Sequence, residues 1–182
     1  GRAYYIFVTT PSGLFRYPMH DIVEVSGHFQ NTPTLKFLQK GVGATNITGE
    51  KLYECQVLEA VRVVEGRLGF RSRFFQLLAD EQTNCYLLYL EADSTVPSDV
   101  SAVSAELDQE LGRLNIEYSA KRHSGRLREP KVFLLKSGAL ENYKSFCLAR
   151  GGREAQFKTV ALRYRRDFEF DLAAHTIAVT RH

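Results

Sequence analysis

The chain has 182 residues, 44% of them hydrophobic and 25% charged, proportions typical of a folded globular protein rather than a disordered one. It has no secretory leader pattern and no apolar run near the ~20 residues of a membrane span, so we expect a cytoplasmic protein without a membrane partner. The net charge of +3, with opposite charges interspersed, does not by itself indicate nucleic-acid binding.

The N-terminal residues carry a strand pattern. Residues 4–10 (YYIFVTT) and 22–26 (IVEVS) are rich in β-branched and aromatic side chains, a second apolar run covers Leu14–Tyr17, and Thr34–Leu38 is a further strand. A free-standing meander of this kind is marginal in water. We therefore expect residues 1–38 to be the last strands of a larger domain.

The composition changes at Lys40–Gly43, where two close glycines are typical of a hinge. From Lys51 apolar residues recur at intervals of three or four, which predicts an amphipathic helix that ends at Gly69. Two β-forming runs follow, Phe70–Ala79 and Cys85–Leu90. The polar residues between these runs predict an antiparallel hairpin.

A second helix begins at Ser98 or Asp99, either of which can act as its N-cap. Its apolar face is formed by Val100, Val103, Leu107, Leu111 and Leu114. After a polar, basic stretch from Tyr118 to Pro130, the sequence predicts a strand over Lys131–Leu135 and a helix over Leu140–Arg150.

This order predicts an α+β fold in which helices pack on an antiparallel sheet. We assign residues 39–168 to this domain and residues 169–182 to a tail. In or near the tail, the residues Phe168–Phe170 and Thr176–Val179 are candidates for edge strands.

Several familiar sites are excluded by spacing. The segment Gly41–Gly49 fails as a phosphate loop because its glycines are misplaced and Glu50 occupies the position of the lysine. The histidines are scattered, and no nucleophile elbow or metal site is predicted. The cysteines Cys55, Cys85 and Cys147 are too far apart for a disulfide framework or a zinc site, and we expect them in the core.

One constellation points to a ligand. The run Gly13–Tyr17 is followed closely by Asp21 and an apolar strand. An aspartate at a turn between strands can accept two hydrogen bonds from a vicinal diol such as that of ribose. Residue chemistry alone leaves open the alternative that Asp21 only initiates a turn.

The stretch VTTPSGLFRYPMHDIVEVSGHFQNTPTLKFLQK resembles the third sequence motif of the auxin-responsive acyl-acid amido synthetases. Further segments resemble that family in the same order, namely GATNITGEKLYECQVLEAV, LNIEYSAKRHSGRLREPKVFLLKSGALENY and ARGGREAQFKTVAL. The resemblance covers residues 4–163, and the chain is similar to the C-terminal part of such an enzyme, in a bacterial branch.

The resemblance implies membership of the acyl-adenylate-forming superfamily. Such enzymes activate a carboxylate with ATP and Mg²⁺, then rotate a small C-terminal domain to complete transfer to an amine or thiol. The implied partners are a carboxylate, an amino acid and an N-terminal domain that is missing here. The phosphate loop would lie upstream, so we expect the isolated chain to be inactive and to hold no cofactor, and we expect no nucleic-acid partner.

The resemblance also assigns residues. Asp21 matches the family aspartate that binds the ribose hydroxyls, framed by Arg16 and Tyr17, and Lys40 lies where related enzymes place a ribose-contacting arginine. Lys158, in a Gln-Phe-Lys run, matches the lysine that meets the charge on the α-phosphate and is the expected catalytic residue. Lys51 is expected near the same phosphate.

The chain departs from the motif beside Asp21: Pro18 replaces a basic residue and His20 replaces a glycine. These changes affect the expected turn geometry. Two alternatives also stay open: an acyl-CoA-type thioester ligase, and a non-catalytic module that binds a protein partner or RNA through its basic stretches and the aromatics Tyr118 and Phe157.

The hinge assignment can be tested by hydrogen exchange. Two close glycines leave the backbone few steric constraints, so amides across Gly41–Ala44 should exchange much faster than those of the core helices. Mass-spectrometric exchange on the chain measures this directly. Exchange there as slow as in the core helices would contradict a hinge.

Overall fold

A computed structural model describes residues 3–40, 43–97, 99–152, 154 and 157–177. The chain divides into two compact units, Gly1–Ala44 and Thr45–His182. Within the described residues, every helix is too short or too polar to cross a membrane. Gly41 and Val42 of the expected hinge lie outside the described residues.

The first unit is a three-stranded antiparallel sheet. Its strands are β1 (Ala3–Val8), β2 (Tyr17–Phe29) and β3 (Thr32–Lys40), in the order β1-β2-β3. The meander is as predicted, but β2 and β3 are longer than the apolar runs because pairing continues into polar residues.

This small sheet buries little of its apolar surface. Ile22 and Val23 are buried, whereas most of its large hydrophobic side chains are exposed. The exposed set includes Tyr4, Tyr5, Phe7, Phe15, Phe29, Leu35 and Phe37. An exposed apolar surface of this kind is typical of an interaction site.

The rest of the chain contains both strands and helices. They are β4 (Ala44–Thr45), β5 (Leu52–Tyr53), α1 (Glu54–Leu68), β6 (Ser72–Asp80), β7 (Cys85–Ala92), α2 (Val100–Leu114), α3 (Ile116–His123), β8 (Lys131–Leu134), α4 (Ala139–Ala149) and β9 (Leu162–Tyr164). The α+β fold class is confirmed.

The main sheet of the second unit has the order β8-β7-β6-β9. The central hairpin β6-β7 is antiparallel, as predicted. The expectation of a wholly antiparallel sheet is wrong, because β8 runs parallel to β7 and β9 parallel to β6. Each edge strand returns after a helical crossover, a connection that permits parallel pairing.

Both faces of this sheet are covered. Successive residues of β6 and β7 point to opposite faces, so Leu77 and Leu88 pack against the α1 and α2 side while Leu78 and Leu87 pack against the α4 side. The apolar stripes of the two long helices fill the first side. They consist of Val57, Val61 and Val64 in α1 and of Val103, Leu107 and Leu111 in α2.

Two predicted helix ends are confirmed, the C-terminus of α1 and the N-terminus of α2, whereas α1 begins at Glu54 and not at Lys51. Gly69 has φ 69° at the C-cap of α1, a left-handed conformation that suits glycine. The Asp99 side chain accepts hydrogen bonds from the amides of Ser101 (2.8 Å) and Ala102 (3.2 Å) at the start of α2. The alternative cap, Ser98, lies outside the described residues.

Helix α3 was not predicted, because its only buried residue is Tyr118 and the rest reads as a polar, basic surface. It starts at Asn115, whose side chain accepts from the Tyr118 amide at 3.0 Å. The Arg122 guanidinium binds both carboxylate oxygens of Asp108. One cation of the basic stretch, Arg122, is therefore neutralised by an ion pair within the chain.

Two smaller expectations are wrong. Cys55 is exposed on α1, whereas Cys85 is buried and Cys147 is half-buried. The segment Phe168–Phe170 forms no strand, because its aromatic rings pack around Tyr143 instead of alternating across a sheet edge. In the other expected edge strand, Thr176 forms an isolated bridge with Leu135, and Ala178 and Val179 lie outside the described residues.

A buried carboxylate organises the start of the second unit. Glu50 is 1% exposed and accepts hydrogen bonds from the amides of Ile47 (2.7 Å) and Thr48 (2.8 Å) and from the Thr48 hydroxyl (3.0 Å). The hydroxyl of buried Tyr86 donates to it at 2.6 Å. Glu50 stands at the sequence position that a lysine occupies in a phosphate loop. Its carboxylate instead accepts hydrogen bonds from the amides of its own turn.

The charge of Glu50 is retained despite burial. Burial raises the pKa of this carboxyl, but the hydrogen bonds from Tyr86 and the amides outweigh that effect and lower the pKa below its ordinary value of 4.5. The pKa of Tyr86 is raised well above its ordinary value, by burial first and by the Glu50 charge second. Tyr86 therefore remains a donor.

Replacing this acceptor should destabilise the chain. In Glu50→Gln the side-chain amide meets buried donors, so the free energy of unfolding at pH 7 should fall by about 1–3 kcal/mol. Because the pKa of folded Glu50 is lowered, its contribution is present above pH 4.5 and is lost as the pH falls through the folded value. The difference in the free energy of unfolding between wild type and Glu50→Gln should therefore become smaller in that acid range.

The measurement is denaturant unfolding followed by circular dichroism, since the chain contains no tryptophan. The control is Glu117→Gln, an exposed carboxylate on α3. Equal stability of Glu50→Gln and Glu117→Gln at pH 7 would contradict the role of Glu50.

Candidate functional site

Asp21 lies at an irregular point of the first sheet. Between the pairs Phe7↔Pro18 and Tyr5↔Ile22, β2 contains two more residues than β1, so the strand bulges around Asp21. On the other side, the register of β3 shifts between the partners of Ile22 and Val23. Bulges redirect side chains and occur often beside active sites.

The residues expected to surround Asp21 are brought close to it by strand pairing. Lys40 is its direct partner on β3. Asp21 is half-buried with its Oδ1 shielded from water, and Tyr17 is exposed at the start of the same strand. The side chains of Lys40 and His20 lie outside the described part of the structure.

Arg16 is held in an unusual backbone conformation. It has φ 46°, in the left-handed region that few residues other than glycine adopt, and its amide donates to the Thr9 hydroxyl at 3.1 Å. Its side chain is exposed. A positive φ at a residue other than glycine stores backbone strain, and such strain often occurs at ligand-binding turns.

Lys51 lies in the second unit, two residues before the N-cap of α1. It is exposed with φ 43°, and its carbonyl accepts from the Asn115 side-chain amide at 3.2 Å. The same amide donates to the Glu50 carbonyl at 3.0 Å. The backbone of Lys51 is thus fixed by α3, while its ammonium group faces solvent.

Lys158 is exposed on the segment that leads into β9. Next to it, the Phe157 ring packs edge-on against Tyr143 of α4, with centroids 5.9 Å apart. At the other end of the segment, the Ala161 amide donates to the Glu54 carboxylate in the first turn of α1. The segment is therefore held at both ends.

Two open clefts flank Lys158. One, of about 640 Å³, lies beside α1 and includes Glu54, Leu58 and Phe74. The other, of about 370 Å³, lies beside α4 and includes Tyr143, Gly152 and Arg163. We call the second one the α4 cleft. Lys158 lines both, so an anion that enters either one meets its ammonium group.

The structure thus groups Arg16, Tyr17, Asp21 and Lys40 in the first unit, and Lys51 and Lys158 in the second. Sequence reasoning missed the supporting residues Glu50 and Tyr143, because a carboxylate in a polar turn and an aromatic in a helix have common structural roles. Among the described residues, no three His, Cys, Asp or Glu side chains are grouped as metal ligands.

Comparison with known proteins decides the family. Residues 56–166 match the model of the GH3 family C-terminal domain, and residues 1–40 match that of the GH3 family central domain. The chain belongs to the GH3 family. The family expected from the sequence motifs is therefore confirmed.

The relatives of this GH3 chain are much longer than it is. It is 28% identical over 169 residues to indole-3-acetic acid-amido synthetase GH3.4 from Arabidopsis thaliana, covering 87% of this chain and 28% of that protein. It is 25% identical over 174 residues to 4-substituted benzoates-glutamate ligase GH3.12 from the same plant, covering 87% and 30%. The chain spans less than a third of either relative.

The fold is also found in solved structures. The GH3.15 acyl acid amido synthetase superposes with a TM-score of 0.77 at 23% identity, over 97% of this chain and 33% of that one. This likeness shows that the fold is shared.

The positive φ of Lys51 can be tested by measuring the stability of two variants at this position. Glycine adopts positive φ without steric cost, so Lys51→Gly should be as stable as wild type or up to about 1 kcal/mol more stable. Lys51→Val should be less stable than wild type by about 1 kcal/mol or more, since a β-branched residue fits this region poorly. Equal stability of the two variants in denaturant unfolding would contradict the conformation.

Proposed function

We propose that this chain is the C-terminal part of an ATP-dependent ligase that joins a carboxylic acid to an amino acid through an acyl adenylate. The match to two consecutive GH3 domain models carries this proposal. The names of its relatives, which are amido synthetases and a glutamate ligase, favour an amide product over a thioester.

Each part of the chain corresponds to a part of the proposed enzyme. Residues 1–38 are the last strands of the large domain, whose remaining part covers the exposed aromatic side chains of the first sheet. Lys40–Gly43 is the hinge, residues 39–168 are the mobile domain and residues 169–182 are its tail. The intact protein works in the cytoplasm.

Asp21 is proposed to bind the ribose of ATP. A carboxylate can accept hydrogen bonds from both hydroxyls of a vicinal diol, and the bulge in β2 directs the side chain out of the regular alternation. Tyr17 and Arg16 flank the sugar, and Lys40, opposite Asp21, adds a cation. These contacts hold ATP equally before and during the reaction.

Lys158 is proposed to act in the adenylation step. When a carboxylate oxygen attacks the α-phosphate of ATP, negative charge builds up on the phosphate oxygens and diphosphate leaves. A cation that reaches this group in the transition state lowers the barrier. Lys158 meets this need because it is exposed on a held segment, and Lys51 can add to the same field.

Magnesium is expected with ATP. The described residues contain no group of three possible metal ligands. The proposed mechanism assigns no residue of this chain as a magnesium ligand.

An RNA-binding module is disfavoured because Tyr118, one of its two expected aromatic contacts, is buried. Tyr118 is fully buried and its hydroxyl donates to Asp108 at 2.7 Å, so its ring is inaccessible to bases. Phe157 packs on Tyr143. We therefore propose that no nucleic acid binds this chain.

In the complete enzyme, Asp21→Ala and Lys158→Ala should fail in different ways. Loss of the ribose contact should mainly raise the KM for ATP and impair both half-reactions. Loss of Lys158 should lower kcat for adenylate formation by about 10²- to 10³-fold, as for one transition-state charge contact, yet leave transfer from a supplied acyl adenylate intact.

The control is Lys136→Ala, which removes another exposed ammonium group and should change neither half-reaction. If Lys158→Ala slowed both half-reactions equally, or neither, Lys158 would be a surface residue without a role in adenylation.

A further inference from the structure

The α4 cleft contains a second cation that the proposed mechanism does not use. Arg163 lines this cleft together with Lys158, Tyr143 and the backbone of Gly151 and Gly152. At about 370 Å³ it is at the lower end of the range for small-molecule sites.

The strand β9 directs Arg163 into this cleft. Its neighbour Leu162 is fully buried on the α1 and α2 side of the sheet, so Arg163 points to the opposite side. Arg163 pairs in register with Leu78, which packs on the α4 side. Burial raises the pKa of the Tyr143 hydroxyl, and the positive charge of Arg163 opposes that rise.

The cations of the second unit differ in their partners. Several form ion pairs with carboxylates: Arg73 with Glu141, Lys144 with Glu154, Arg150 with Glu169, Arg165 with Asp80 and Arg166 with Glu81. Within the described residues, Lys158 and Arg163 have no such partner. Both cations that line the α4 cleft in the described part of the chain are therefore without a neutralising carboxylate.

The wall between these cations is rigid. Tyr143 is 5% exposed and contacts the rings of Phe74, Phe157 and Phe168 at centroid distances of 5.8, 5.9 and 5.2 Å. The aromatic part of the cleft wall is therefore held on several sides. Such preorganisation reduces the entropy lost when a ligand binds.

We propose that Lys158 and Arg163 form a binding site for a diphosphate group, either free or as part of a nucleotide. A guanidinium can bind two oxygens of one phosphate and an ammonium group can bind the next as a point charge. The link to catalysis rests on the proposed function, since adenylate formation releases diphosphate. Diphosphate binding itself is tested on this chain alone.

The experiment is calorimetric titration of the 182-residue chain with inorganic diphosphate. Wild type should bind with a Kd on the order of 1 mM or tighter, and Arg163→Gln and Lys158→Gln should each bind at least about tenfold more weakly. Arg163→Lys keeps the charge and should bind more tightly than Arg163→Gln. The matched control is Arg166→Gln, whose arginine is already paired with Glu81 and which should bind as wild type does.

Parallel titrations with ATP and AMP identify the source of the group. Equal affinity for ATP and diphosphate shows that two phosphates alone are recognised, and tighter binding of ATP shows an added contact to its third phosphate or its nucleoside; both support the site. The site is wrong if wild type does not bind diphosphate at about 10 mM, well above the expected Kd, or if Arg163→Gln binds as wild type does. AMP that binds as tightly as diphosphate would also overturn it.

These outcomes are separate from those of the proposed function. If Arg163 controls diphosphate binding while Lys158→Ala leaves adenylation unchanged, the site stands and the proposed function fails. If the chain does not bind diphosphate while Lys158→Ala slows only adenylation, the function stands and the site fails.

Discussion

The arrangement of the second unit depends on the buried carboxylate of Glu50. Removing a charge from water costs several kcal/mol unless hydrogen bonds replace its hydration. Glu50 receives them from two backbone amides and from the hydroxyls of Thr48 and Tyr86, the last of which lies on the central strand β7. The turn that follows Thr45 is thereby joined to the middle of the sheet.

From this turn, hydrogen bonds lead to the segment that carries the proposed catalytic lysine. The carbonyls of Glu50 and Lys51 are held by Asn115, and the helix that follows places the Glu54 carboxylate on the amide of Ala161. Lys158 precedes that amide by three residues. In the proposed mechanism this unit rotates and has to carry its cation on a well-held segment, and these contacts hold that segment.

The sequence predicts best what depends on local pattern. Helix α1 follows from apolar spacing, and the cap at Asp99 from side-chain chemistry. The parallel pairing of β8 and β9 was missed because it joins strands distant in sequence, and α3 because it has one buried residue. Asp21 and Lys158 were assigned by family motif, whereas the role of Glu50 required knowledge of what surrounds it.

The most direct test of this account is carboxylate-dependent exchange of diphosphate into ATP, measured on the complete enzyme with a panel of acids. The account predicts exchange that requires a carboxylate, formation of AMP, and an amide product once an amino acid is added. Formation of ADP and phosphate, or no exchange with any acid of the panel by the folded enzyme, would contradict it.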